Sequence, residues 1–231
     1  MGLKDDLDSY ANEVFKRVWT SRNGQKVPEP ADLALQNEAV ELEATVLYAD
    51  LGRSTQMVKE HPPQFSAEIY KTFLYCSARV IRSTNGAITA YDGDRIMAVF
   101  IGDSKNSDAA KAALRIHYAV AKIIQPGIDD MYQHREFTLE HRVGIDTSDL
   151  FIARTGIRGT NDLVWVGNAA NNAAKMAALP TSYATYITAA VYGRLNEGSK
   201  YGGEPKQDMW TALGSTSLGY SIYGSNWWWG F

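Results

Sequence analysis

An apolar run that ends in a lone carboxylate is the feature that most constrains this chain. Residues 45–55 read TVLYADLGRST. Val46, Leu47, Tyr48 and Ala49 are long enough together for one buried strand. Asp50 closes the run, Leu51-Gly52 turns the chain, and Arg53, Ser54 and Thr55 stand where a helix begins. A carboxylate at a buried strand end, followed by backbone N–H donors, suits a divalent cation holding a phosphate chain. The plain alternative is an Asp that caps the next helix.

A second acid bears on that choice. In GAITAYDGDRIMAVFIGD, residues 86–91 and 95–101 alternate or run apolar as strands, and Asp92-Gly93 is a tight-turn pair between them. Asp94 therefore stands at a hairpin tip beside the end of a central strand. Two carboxylates so placed can share a pair of Mg²⁺ or Mn²⁺ ions, which in phosphoryl transfer lie about 3.5–4 Å apart. A third stretch, VWVGNAANNAAKM over 164–176, has a glycine before a helix whose Ala170, Ala173, Ala174 and Ala177 allow close backbone approach. Asn171 and Lys175 are four apart and share one helix face.

These three motifs, in this order, resemble the class III nucleotidyl cyclase catalytic domain over roughly residues 44–190. The resemblance implies a ferredoxin-like α+β sandwich, a mainly antiparallel sheet with helices on one face. It implies that Asp50, Asp94 and the Leu51 carbonyl hold two divalent ions, Mn²⁺ or Mg²⁺. It assigns the triphosphate to Gly52, Arg53, Ser54 and Thr55, the ribose to Asn171 and the transition-state charge to Lys175, where the family usually has Arg. Lys keeps the charge and loses the bidentate fork. Arg142, in HRVGID, matches a family Arg-x-Gly whose role is less defined. In homodimeric members the two halves of each site come from different chains, so a homodimer with shared active sites is implied.

At the positions that read purines this chain has Ala90 and Val164, neither able to make a base-specific hydrogen bond. Tyr91 and Arg95 instead flank Asp92-Gly93-Asp94, an arrangement similar to the uridylate cyclases of Pycsar antiphage defence, as is the Trp-rich ending NWWWGF. Tyr91 and Arg95 are then base-binding. Arg is donor-only and suits the O4 acceptor of uracil, which favours UTP over CTP. The implied partners are UTP (or CTP) and a separate effector that senses the cyclic nucleotide. A cytidylate cyclase, or a non-catalytic cyclase-like domain that binds nucleotide or mediates dimerisation, stays open as the alternative.

The rest of the chain fits that frame. A net charge of −3 gives no basic face for nucleic acid, and no apolar run reaches membrane-spanning length. One cysteine, Cys76, and no signal-peptide core point to a reduced cytoplasmic protein. Residues 1–43 read as an N-terminal helix, its stripe Leu3, Leu7, Tyr10, Val14 and Val18, plus a linker; 44–231 read as the cyclase domain with its Trp-rich tail. Helices are expected over 64–83 and from Ser104 or Ser107 to Gln125, where Pro126-Gly127 stops the helix. Strands are expected over 138–148 and 163–166, with Asn161-Asp162 as a turn, and an edge strand over 183–188. The four histidines lack metal-ligand spacing and read as surface or core residues. Trp227, Trp228 and Trp229 require cover, from this domain or from a partner.

Overall fold

The computed structural model describes residues 2–179, 183–215 and 218–231. The strands among them are β1 (Thr20–Asn23), β2 (Glu38–Gly52), β3 (Ala87–Asp92), β4 (Arg95–Phe100), β5 (Glu140–Ile157), β6 (Thr160–Val166), β7 (Thr185–Thr188), β8 (Tyr201–Gly202), β9 (Gln207–Asp208), β10 (Thr211–Ser215) and β11 (Ser221–Ser225). The chain divides into two compact units. One comprises residues 1–43 and 149–167, the other 44–148 and 168–231.

In the larger unit the strand order is β10-β11-β7-β5-β2-β4-β3. The pairs β10–β11, β11–β7, β2–β4 and β4–β3 are antiparallel, and β5 and β7 run parallel with Val143 opposite Thr185. Long helices Pro63–Ser83 and Lys105–Ala119 cover one face, and Leu47, Phe73, Phe100, Ile116 and Ile145 lie wholly buried between them and the sheet. The stripe spacing of residues 65, 69, 73 and 80 produces that burial directly. The helix Asn168–Ala177 packs on the opposite face of β5. A Cβ on Gly144 would stand 2.1 Å from the Ala173 carbonyl oxygen and 2.8 Å from the Ala177 nitrogen. The small residues of that helix thus allow a strand backbone to touch it. Of the tail, Trp227 and Trp229 pack against the core of their own unit, while Trp228 stays 45% exposed. Trp229 N–H donates to the Leu114 carbonyl at 3.1 Å, and the Trp228 ring lies 5.4 Å from Tyr118.

In the smaller unit β1 pairs in parallel with residues 38–41, and β5 and β6 form a hairpin with Phe151 opposite Val166. Helix Leu3–Lys16 buries none of its residues. Asn37 Nδ2 donates to the carbonyls of Val14 and Arg17, 2.8 Å each, and ties down its C-terminal end.

Several boundaries differ from the sequence expectation. Pro126 does not stop the third helix. A wide turn over Val120–Ile124 lets the chain continue into Gln125–Met131, and Pro126 stands in the first turn, where no N–H is required. Ser104 is at the helix start without a side-chain cap bond, and Ser107 Oγ instead accepts from Asn196 N at 2.9 Å. The turn between β5 and β6 falls at Arg158-Gly159, with Gly159 at φ +89°, so Asn161 and Asp162 are strand residues. Residues 185–188 form an interior strand between β5 and β11, not an edge.

Gly144→Ala is expected to cost at least about 1–3 kcal/mol, the usual range for overpacking a tight contact. Urea unfolding measures it; an unchanged midpoint would show that the helix does not touch the strand there.

Candidate active site

β2 and β4 pair antiparallel with Ala49 opposite Ile96, which places Asp50 across from Arg95. The β3–β4 hairpin turns through Gly93 at φ +61°, a value open to glycine and costly for other residues, and leaves Asp94 at the turn's exit. Arg95 donates from Nε and Nη2 to Asp50 Oδ2, at 3.2 and 2.9 Å. Burial pushes the Asp50 carboxyl above its ordinary value; the Arg95 pair opposes this and the nearby Asp94 charge adds to it. The ion pair alone would pull Asp50 down, so desolvation outweighs it. Asp94 Oδ2 is buried with no hydrogen-bond partner among the described residues.

After Asp50 the backbone folds tightly. Gly52 lies against β5, where an added Cβ would come within 2.8 Å of Glu140 Cβ. Arg53 then adopts the left-handed conformation (φ 57°, ψ 25°) and leads into helix Ser54–Glu60. For a residue with a Cβ that conformation costs about 1–2 kcal/mol, and such strain concentrates at functional sites. Glu140 anchors the segment, pairing with Arg53 at 3.3 Å and Arg142 at 3.3 Å.

A cleft of ≈ 890 Å³ opens beside these residues, lined by Asp50, Gly52, Arg53, Glu140 and Arg142 and, from below, His117 and His141. Arg142 Nη1 donates to the His141 carbonyl at 2.7 Å, while its buried Nε has no partner among the described residues. His141 is 3% exposed, with its ring 5.2 Å from that of His117. Burial, then the His117 and Arg142 charges, hold its pKa down at about 3. It is a core residue, as the absence of metal-ligand spacing implied. Asn171 and Lys175 lie exposed on helix Asn168–Ala177, and among the described residues neither lines this cleft. Tyr91 is 57% exposed. A single chain thus brings Asp50, Asp94, Arg95 and the 51–55 segment together; Asp94 and Arg95, like Asn171 and Lys175, stand outside the cleft lining, which Ala177 at the end of the 168–177 helix joins.

Residues 37–217 match the family described as the adenylate and guanylate cyclase catalytic domain. The chain is 50% identical to a uridylate cyclase of Xanthomonas perforans over 231 residues, covering 99% of each. It is 51% identical to a uridylate cyclase of Burkholderia cepacia, again covering 99% of each. Among solved structures, an adenylyl cyclase from P. aeruginosa superposes with a TM-score of 0.67 at 18% identity, over 81% of this chain and 95% of that one. This chain is a class III nucleotidyl cyclase.

Cyclases of this class use divalent metals, and the residues at the acid pair fit such an ion. Asp94 Oδ2 is a buried acceptor that lacks a donor among the described residues, and carboxylate oxygens are the hard donors that Mg²⁺ or Mn²⁺ takes. Glu140 was not singled out from the sequence. It stands outside the three cyclase motifs, and its only signal is its place two residues before Arg142, on the same face of the strand.

The depressed pKa of His141 has a definite sign for stability. Below its ordinary 6.5 the unfolded chain binds a proton that the folded chain refuses until about pH 3, so stability falls as pH drops through that window. One proton corresponds to about 1.4 kcal/mol per pH unit. Urea unfolding at pH 7, 6 and 5 should show that slope, and His141→Leu should flatten it; an equal slope in the variant would contradict the assignment.

Proposed function

We propose that this protein is a uridylate cyclase, converting UTP to 3′,5′-cyclic UMP and pyrophosphate. The observation that carries the chemistry is the unpartnered, buried Asp94 oxygen next to Asp50, at the ends of paired strands. The substrate reading rests on Ala90 and Val164, which offer no purine-specific hydrogen bond, and on full-length kinship to chains named uridylate cyclase.

In this reading Asp50, Asp94 and the Leu51 carbonyl hold two divalent ions. Bound there, Mg²⁺ or Mn²⁺ eases loss of the ribose 3′-OH proton and offsets charge on the departing pyrophosphate. No enzyme nucleophile takes part, since the 3′-oxygen attacks the α-phosphorus of its own nucleotide. The N–H groups of Gly52, Arg53, Ser54 and Thr55 face the triphosphate, with Arg142 beside Arg53 on the shared Glu140 carboxylate. Asn171 orients the ribose and Lys175 offsets charge on the transferring phosphoryl group. As the likeness to homodimeric cyclases implies, these two exposed residues serve the site of a second copy, in a two-fold homodimer with two shared sites.

Arg95 serves both the acid pair and the base. A guanidinium has five N–H donors, of which two rest on Asp50. The others are offered to uracil O4, with Tyr91 against the base. Lys175 acts as a point charge where Arg would form a fork. The product then serves as a second messenger in antiphage defence, read in the cytoplasm by a separate effector protein. Among the described residues no helix is long and apolar enough to cross a membrane.

Incubation with ATP, GTP, CTP and UTP in Mn²⁺, with products resolved by mass, tests this reading. Cyclic UMP should dominate. Asp50→Ala should lower its formation more than ~100-fold, because a bound cation's charge stabilisation is worth several kcal/mol. Cyclic CMP as main product would keep the mechanism and overturn the role given to Arg95. Cyclic AMP or cyclic GMP would overturn the base argument built on Ala90 and Val164.

A further inference from the structure

Alternate residues of β5 share one face, and three of them meet the helix that carries Asn171 and Lys175. Gly144 admits the helix backbone at Ala173 and Ala177. Asp146 Oδ2 accepts from Asn172 Nδ2 at 2.8 Å. Ser148 Oγ accepts from Ala169 N at 3.0 Å. Strand residues 144, 146 and 148 thus seat the helix at its C-terminal, middle and N-terminal thirds.

The middle contact is the unusual one. Asp146 is 4% exposed, inside a strand where an apolar residue would pack without any desolvation penalty. Its second oxygen, Oδ1, accepts from Thr188 Oγ1 at 2.6 Å, and Thr188 in turn accepts from Val191 N at 3.4 Å, which fixes the hydroxyl as the donor. Both carboxylate oxygens therefore hold a donor, from two different elements. Burying a carboxylate among donors fixes geometry more than it adds net stability.

Asn172 lies about 100° around the helix from Asn171. Holding Asn172 against the strand sets the rotation of the helix, and with it the direction in which Asn171 and Lys175 project. We infer that Asp146 is a positioning residue for the reaction: acting through Asn172, it fixes the helix rotation that presents Asn171 and Lys175 to the nucleotide. The inference rests on the roles given to Asn171 and Lys175 above.

The test exchanges the two groups. Asn172→Asp alone sets two carboxylates against each other. Asp146→Asn combined with Asn172→Asp restores an amide–carboxylate bond with donor and acceptor reversed, and the amide oxygen at position 146 still accepts from Thr188. Asn172→Asp should lower kcat for UTP by roughly 10–100-fold, the scale of an ångström misplacement, with KM little changed. The exchange should bring kcat back to within about 3-fold of wild type, as expected where two sites are coupled. The melting midpoint of each variant is read in parallel. Wild-type kcat in Asn172→Asp, or a lowered midpoint with kcat per folded dimer unchanged, would overturn the inference. So would an exchange that restores the midpoint but not kcat. Wild-type protein that forms no cyclic nucleotide would overturn the functional reading itself, and the inference with it, which separates the two failures.

Discussion

The antiparallel register between β2 and β4 is the constraint on which the site depends. With Ala49 opposite Ile96, the end of the buried strand falls beside the hairpin tip, and Asp50, Asp94 and Arg95 must share one small volume. A slip of one residue would send Asp50 to the other face of the sheet. The register is held by the core beneath it, where Leu47, Ile96, Ala98 and Phe100 are 0–1% exposed. Burial that stabilises the strands also desolvates the acids. That raises the Asp50 carboxyl and leaves an oxygen of Asp94 without a donor. The same packing therefore builds the sheet and desolvates the acid pair.

β5 performs a second division of labour. Its residues Val143 and Ile145 belong to the core under the long helices, while Gly144 and Asp146 face the helix Asn168–Ala177. One strand thus connects the core to the helix bearing Asn171 and Lys175, and its leading end carries Glu140 and Arg142 into the cleft.

Much of this was legible in the sequence because the signals were local. An apolar run ending in Asp50, a tight turn before Asp94 and the four-residue spacing of Asn171 and Lys175 each state a geometry within a few residues. The features that were not legible depend on distant partners. Pro126 reads as a helix stop, and only the wide turn before it lets the helix continue. Asn161-Asp162 reads as a turn, but Arg158-Gly159 takes the bend because Gly159 accepts the positive φ. The pairing of Arg95 with Asp50 follows from strand register across 45 residues, and Asp146 finds Asn172 and Thr188 across 26 and 42. No local pattern announces a buried carboxylate as a seat for a helix.

The central claim is that each active site is completed by two chains. Mixing Asp50→Ala protein with Lys175→Ala protein, each inactive alone, and allowing subunits to exchange tests it most directly. Random reassortment makes half the dimers mixed, each with one intact site, so activity should return to roughly a quarter of the wild-type level. A mixture that stays as inactive as its components, although mixed dimers are shown to form, would place all the catalytic residues in one chain and contradict the account.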